Sequence, residues 1–216
     1  MLRRSWWYGC LTAVLATAML LTGGCTELAM TIAYLYQGTD VGADYPGLKG
    51  KKVVVVCRPM TSVTYYKVGK QLSSQISVLL KQNVSKITVV EQQKVAEWTD
   101  ENQWNEYPEV GKAMKADMVV GVDLTSFSTY QGPTLYQGKA TASIKVYDLK
   151  DDNKVVYEKE LPQILYPPNI GIPISDKSEA DFGRDFTSVV ADLIARHFYS
   201  HDEHADVAQD AAAGLN

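Results

Sequence analysis

Two spacings of apolar residues run through this chain and divide it into strands and helices. Residues 52–57 hold Val53, Val54, Val55 and Val56 in one β-branched run, closed by Pro59. Such a run, bounded by charge and proline, predicts a buried strand. Over residues 64–82 the spacing lengthens. Val68, Leu72, Ile76, Leu79 and Leu80 recur every three or four positions and predict an amphipathic helix. Shorter elements follow: a strand over 86–90, a helix over 92–98 and another from Pro108 to about 115. A proline in the first turn removes no helical hydrogen bond, so Pro108 suits a helix start.

The second half is strand-rich. Residues 117–130 and 136–149 form two long strands around the turn Gly132-Pro133. In the second of them Tyr136, Gly138, Ala140, Ala142, Ile144 and Val146 share one face. Lys139, Thr141, Ser143 and Lys145 share the other. A period of two with one wet face predicts an antiparallel sheet covered on one side. Asp151, Asp152 and Asn153 turn the chain into a strand over 154–161. Residues 165–174 contain three prolines and cannot be a central strand. A last helix over 179–198 carries the stripe Phe182, Phe186, Val189, Val190, Leu193 and Ile194. The order β-α-β-α-α-β-β-β-α predicts a layered α/β (α+β) sandwich: a mixed sheet of about five strands, with an antiparallel meander, packed by helices.

The first residues read differently. Arg3 and Arg4 precede an apolar run from Trp6 to about Leu21, which ends in Leu21-Thr22-Gly23-Gly24-Cys25. A basic start, an apolar middle and a small-residue end make a secretory signal over residues 1–24. The run is too short to favour a permanent span. Its end resembles the bacterial lipobox, with Thr22 where an aliphatic residue is more usual. The resemblance implies cleavage before Cys25 and a lipid on its thiol. No cofactor is implied beyond that covalent lipid. Thr26, where an Asp would retain the protein, implies by the same resemblance the outer membrane, facing the periplasm. Residues 25–51 then form a tether. Within it the apolar stretch 28–36 packs on the domain or lies near the membrane, and 38–50 is turn-rich. One α/β domain over 52–199 and a disordered acidic tail over 200–216 complete the reading.

The chain has 216 residues, 21 basic and 25 acidic, for a formal charge of −4. Removal of Arg3 and Arg4 with the signal makes the remainder more acidic still. That balance argues against nucleic acid as a partner and leaves membrane attachment to the acyl chains. With Cys10 removed and Cys25 acylated, Cys57 is the one remaining thiol, so no internal disulfide is expected.

Candidate chemistry is thin. Cys57 and Arg58 sit at the expected carboxyl end of the first strand, where an arginine could lower a thiol pKa. A lone cysteine otherwise packs as a small hydrophobe. His197, His201 and His204, four and three residues apart, would share a helix face and could hold zinc or copper, or simply end a solvated helix. Trp98, Trp104 and Tyr107, among Asp100, Glu101, Asn102 and Glu106, could hold a glycan or pack on the sheet. Asp123 is expected on a solvent face of its strand. Ile164, Tyr166, Ile170, Ile172 and Ile174 lie in the proline-rich segment, whose apolar residues must cover the domain itself or bind a partner. Gly50-Lys51 does not complete a phosphate loop, because Tyr45 and Lys52 stand where it needs Gly and Ser or Thr.

Four features carry a resemblance to a family. They are the valine strand 53–56 before an amphipathic helix; Val89-Val90-Glu91 leading into a short helix; residues 113–121, a helix end running into a strand; and the hairpin from Ile144-Lys145-Val146-Tyr147-Asp148 to Val155-Val156-Tyr157. In these, residues 50–198 resemble the curli assembly and secretion lipoproteins and the lipoproteins that activate penicillin-binding proteins. The resemblance implies a non-enzymatic scaffold, assembly factor or activator that binds an envelope protein. Two alternatives stay open: a subunit of an oligomeric export assembly, and a peptidoglycan-binding module or envelope hydrolase. The short turns between the meander strands leave no room for the membrane hairpins of the pore-forming curli members.

Overall fold

The computed structural model describes residues 40–59 and 63–202. The segment read as a signal, residues 1–24, and Cys25, the 28–36 stretch, His204 and the residues beyond Asp202 lie outside the described residues. From Val41 onward the described chain forms one packed unit. Its sheet has seven strands: β1 (Lys52–Pro59), β2 (Thr88–Val89), β3 (Met118–Gln131), β4 (Leu135–Asp148), β5 (Lys154–Glu160), β6 (Ile164–Tyr166) and β7 (Ile172–Pro173). The helices are α1 (Val63–Asn83), α2 (Gln92–Glu101), α3 (Tyr107–Ala113) and α4 (Glu179–Ala195). The main strands run in the order β2-β1-β3-β4-β5, and β6 and β7 pair with the edge of β4 left beyond β5. β1 is parallel to both β2 and β3, while β3, β4 and β5 form an antiparallel meander. The sheet is mixed and packed by helices, an α/β sandwich as its periodicities require.

Successive strand side chains point to opposite faces, and the valine run feeds two cores. Val53 and Val55 join Val120, Val122, Ile144 and Val146 under α1 and α4. Val54 and Val56 join Val119, Val95, Val110 and Tyr107 under α2 and α3. The one-sided cover expected for residues 136–149 does not extend across the whole sheet. β1 and the first half of β3 are covered on both faces, because a crossover after each parallel strand lays helices on alternate sides. β4 keeps its clean alternation, and its even-numbered residues from 136 to 146 are all buried.

Small residues on β4 make room for large ones on α4. Gly138 lies beneath Phe186, Ala140 and Ala142 follow it on the same buried face, and Phe182 and Phe186 are fully buried. A Cβ added at Gly138 would sit 2.5 Å from the Phe186 ring. Phe127 lies 4.8 Å from Phe186, and Tyr136 stacks on Phe182 at 5.1 Å, centroid to centroid. Burying such a side chain contributes about 1.5–3 kcal/mol. α4 starts cleanly because Ser178 Oγ accepts the Asp181 amide at 3.1 Å, with Glu179 and Asp181 at the positive end of the dipole. The chain returns to its own start at the other end of α4, where Tyr45 N–H donates to His197 O at 2.8 Å. Tyr45 and Leu48, inside the segment read as tether, pack into the first core.

The proline-rich segment is an edge element. β6 pairs with β4 at Gly138–Ala140, β7 pairs at Leu135–Tyr136, and the Tyr166–Pro167 peptide is cis.

Candidate functional site

The strand order β2-β1-β3 makes β1 the point where the chain reverses direction across the sheet. α1 leaves β1 on one face, and α2 and α3 leave β2 on the other. Crevices at the carboxyl ends of such strands are where ligands bind in open α/β sheets. A cavity of about 320 Å³ lies there, lined by residues 55–58 of β1, Lys70 and Ser73 of α1, Gln92, Val95, Ala96 and Thr99 of α2, and Trp104.

Beside it stands a polar cluster. Tyr107 is fixed at the start of α3 by a reciprocal cap, in which the Glu106 amide donates to Glu109 Oε1 at 3.2 Å. Its ring lies over Gly121, where a Cβ would meet it at 2.8 Å. A glycine in a strand often marks such a close approach. The Tyr107 hydroxyl donates to Asp123 Oδ1 at 2.8 Å, and Arg58 Nε donates to the same oxygen at 3.1 Å. Arg58 and Asp123 are register partners across the parallel ladder. Arg58 Nη1 also donates to Asn105 O at 2.8 Å. The guanidinium stands 4.8 Å from the Tyr107 ring centre and 5.9 Å from that of Trp104.

Burial pushes the Tyr107 hydroxyl well above its ordinary value, and the Asp123 charge adds to this. Burial works against the Arg58 charge, but Tyr107 and Asp123 more than offset it. Burial also pushes the Cys57 thiol up to about 12. The expected help from Arg58 is absent because consecutive strand residues face opposite ways. Cys57 packs against the α1 side, and Arg58 lies on the Tyr107 side. The cluster therefore holds groups in place, with the carboxylate shared by two donors and the phenol kept protonated.

The sequence-predicted site residues fall as follows. Asp123 is not on a solvent face: its side chain is 18% exposed and tied to Arg58 and Tyr107. Tyr107 is 2% exposed, so it packs and cannot stack on a glycan; Trp98 and Trp104 pack against the same core. His197 and His201 line one cavity with Asp44. The helix ends before it can align them, since Tyr199 is extended and His201 lies in a two-residue strand. His197 Nδ1 is 2.7 Å from Asp44 Oδ2 and 3.2 Å from the Tyr157 hydroxyl. Among the described residues no group of three His, Cys, Asp or Glu side chains could hold a metal ion. Ile164 and Tyr166 are buried and cover the domain itself, and Ile172 packs partly against the core. Ile170 is 79% exposed and Ile174 44%. In the sequence Arg58 reads only as a neighbour of Cys57; its link to Tyr107 and Asp123 depends on strand register.

Among the described residues no helix is long and apolar enough to cross a membrane. No protein-family model matches the chain, and no curated protein does. Solved structures resemble it in outline. The PelC dodecamer from Paraburkholderia phytofirmans is 13% identical over 74% of this chain and 95% of that one, with a TM-score of 0.46. Lipoprotein GNA1162 from Neisseria meningitidis is 16% identical over 67% and 97%, with a TM-score of 0.44. The LpoB C-terminal domain from Salmonella enterica is 10% identical over 56% and 87%, with a TM-score of 0.39. At these identities the likeness concerns the fold, and no residue's role is carried over from it.

Proposed function

We propose that this is a bacterial envelope lipoprotein, anchored by lipid on Cys25 in the outer membrane, that works in the periplasm by binding a protein partner rather than by turning over a substrate. The observation that carries the reading is the exposed apolar end of the β3–β4 hairpin. Ile170 and Ile174 flank β7, which pairs with that end of β4, and both stand free of the core; Tyr130 of β3 is 41% exposed. The Ile174 amide is tied to Thr134 O at 3.1 Å, so the group is held on a rigid support. Exposed apolar patches on a folded domain mark interaction surfaces, and rigid presentation lowers the entropy lost on binding.

The test is the double substitution Ile170→Asp with Ile174→Asp in the full-length chain. The expected result is an unchanged melting temperature, with loss of the protein that co-purifies with the wild type from detergent-solubilised envelopes. An unchanged set of associations in the variant overturns the surface. Cys25→Ala tests the anchor separately: the variant should stay unacylated and leave the membrane fraction. Normal acylation and fractionation would refute that part of the reading.

A further inference from the structure

The cavity beside Arg58 is reached by four consecutive residues of one strand, Val55, Val56, Cys57 and Arg58. Strand side chains alternate between faces. A space that all four line is therefore not over a face of the sheet but along the strand's edge, where the backbone is presented.

The ladder shows why that edge is open. β3 pairs with β1 continuously from Val53 to Pro59 on the inner side. On the outer side β2 pairs only with Lys52 and Val53. Its last backbone bond runs from the Val90 amide to Val53 O at 2.9 Å. At the next outward-facing position a side chain replaces the missing strand: Gln92 Nε2 donates to Val55 O at 3.0 Å and is held by Ser77 Oγ at 2.8 Å. Alternate residues face the same edge, so the following outward position is Cys57. No described strand pairs with it on that side.

The walls indicate what could lie there. Val95, Ala96 and Trp104 are apolar, and Ser73 and Thr99 offer hydroxyls. The two cations at the rim are engaged, Lys70 with Asp100 at 2.7 Å and Arg58 with Asp123 at 3.1 Å. An anionic ligand would have to break these pairs. A neutral chain of amides would not, and it would meet the donor and acceptor of Cys57 in the geometry a sheet uses.

We propose that the open edge of β1 accepts an extended segment of another protein. The segment adds as a strand beside Cys57, with a small apolar side chain between Ala96 and Trp104. This is recognition by strand addition, in which backbone bonds supply affinity and one pocket supplies choice. The site is independent of the hairpin end, and either can fail without the other.

The test uses the full-length acylated protein in detergent and linear peptides selected against it from a random library. The expected peptide protects the Cys57 amide from hydrogen exchange. Methylating its central backbone nitrogen weakens binding about tenfold or more, the scale of one lost backbone bond. Ala96→Trp, or Thr99→Arg should the first variant fold poorly, abolishes binding with the melting temperature preserved. Failure to select any peptide, protection elsewhere, or indifference to N-methylation overturns the proposal. So does self-association that Ala96→Trp dissolves, because the occupant would then be a second copy of this chain.

Discussion

Tyr107 and Arg58 donate to one and the same oxygen, Asp123 Oδ1, at 2.8 and 3.1 Å. Through it the start of α3 is locked to the carboxyl end of β1. Tyr107→Phe removes one donor and leaves Asp123 with its arginine, and should cost about 1–2 kcal/mol. Asp123→Ala strands two donors in a half-buried place and should cost more, about 2–3 kcal/mol. Denaturant unfolding of the two variants and of the double variant checks the order and the coupling. Equal costs, or simple additivity, would show that the shared oxygen does not link them.

Cys57 should be inert. With its thiol pushed up to about 12, it carries little thiolate at neutral pH, and thiolate is the reactive form. Iodoacetamide at about pH 8 should leave Cys57 unlabelled in the native protein and label it in guanidinium chloride, as peptide mass spectrometry would show. Fast native labelling would contradict the burial.

Asp44 gives the domain an acid-sensitive contact. The hydrogen bond from His197 holds its carboxyl below the ordinary value, with help from the charges of His197 and Lys159. A carboxyl lowered in the folded state stabilises fully above its unfolded pKa of about 4, and that stabilisation disappears as the pH falls through the folded value. Melting temperature should therefore fall less steeply on acidification below about pH 4 in Asp44→Asn than in the wild type. Parallel melting curves would remove Asp44 from the account.

Two glycines should respond in opposite directions. Gly138→Ala drives a methyl to 2.5 Å from the buried Phe186 ring and should cost about 1–3 kcal/mol. Gly183 on α4 has open space where its Cβ would go. Gly183→Ala should stabilise by about 0.5–1 kcal/mol, the ordinary helix preference. Thermal melts of both variants decide the matter; stabilisation by Gly138→Ala would mean that Phe186 moves freely.

The strands and helices were legible because burial imposes period. Val53–Val56, the even-numbered face of β4 and the phenylalanines of α4 could be read from spacing alone. The second core could not. Residues 92–98 and 108–115 are too short for an apolar stripe to declare which face of the sheet they cover. Asp123 was placed toward solvent because polarity within a strand suggests it, and only the register of β3 against β1 sets it beside Arg58. Gly121 was a usable signal, since a glycine inside an apolar strand implied a ring or backbone lying close. A shared helix face for His197 and His201 requires the helix to continue, and it ends at Phe198. The open edge of β1 was hidden because a ladder of two residues and one of five look alike in sequence.

α4 joins two ends of the domain. Its 17 residues, about 25 Å of helix, run from the Tyr136–Phe182 stack by the hairpin end to the His197 carbonyl that receives the Tyr45 amide. Tension between Val41 and the hairpin turn would enter β1 at its amino end and β3 at its carboxyl end. The seven parallel pairs between those two strands would share that load in shear instead of parting one after another. A domain held by its amino end and gripped at its far end is mechanically stiff in that direction. Single-molecule pulling from residues 41 and 133 should need more force than pulling across the sheet from 89 and 160, and the reverse order would dismiss the idea.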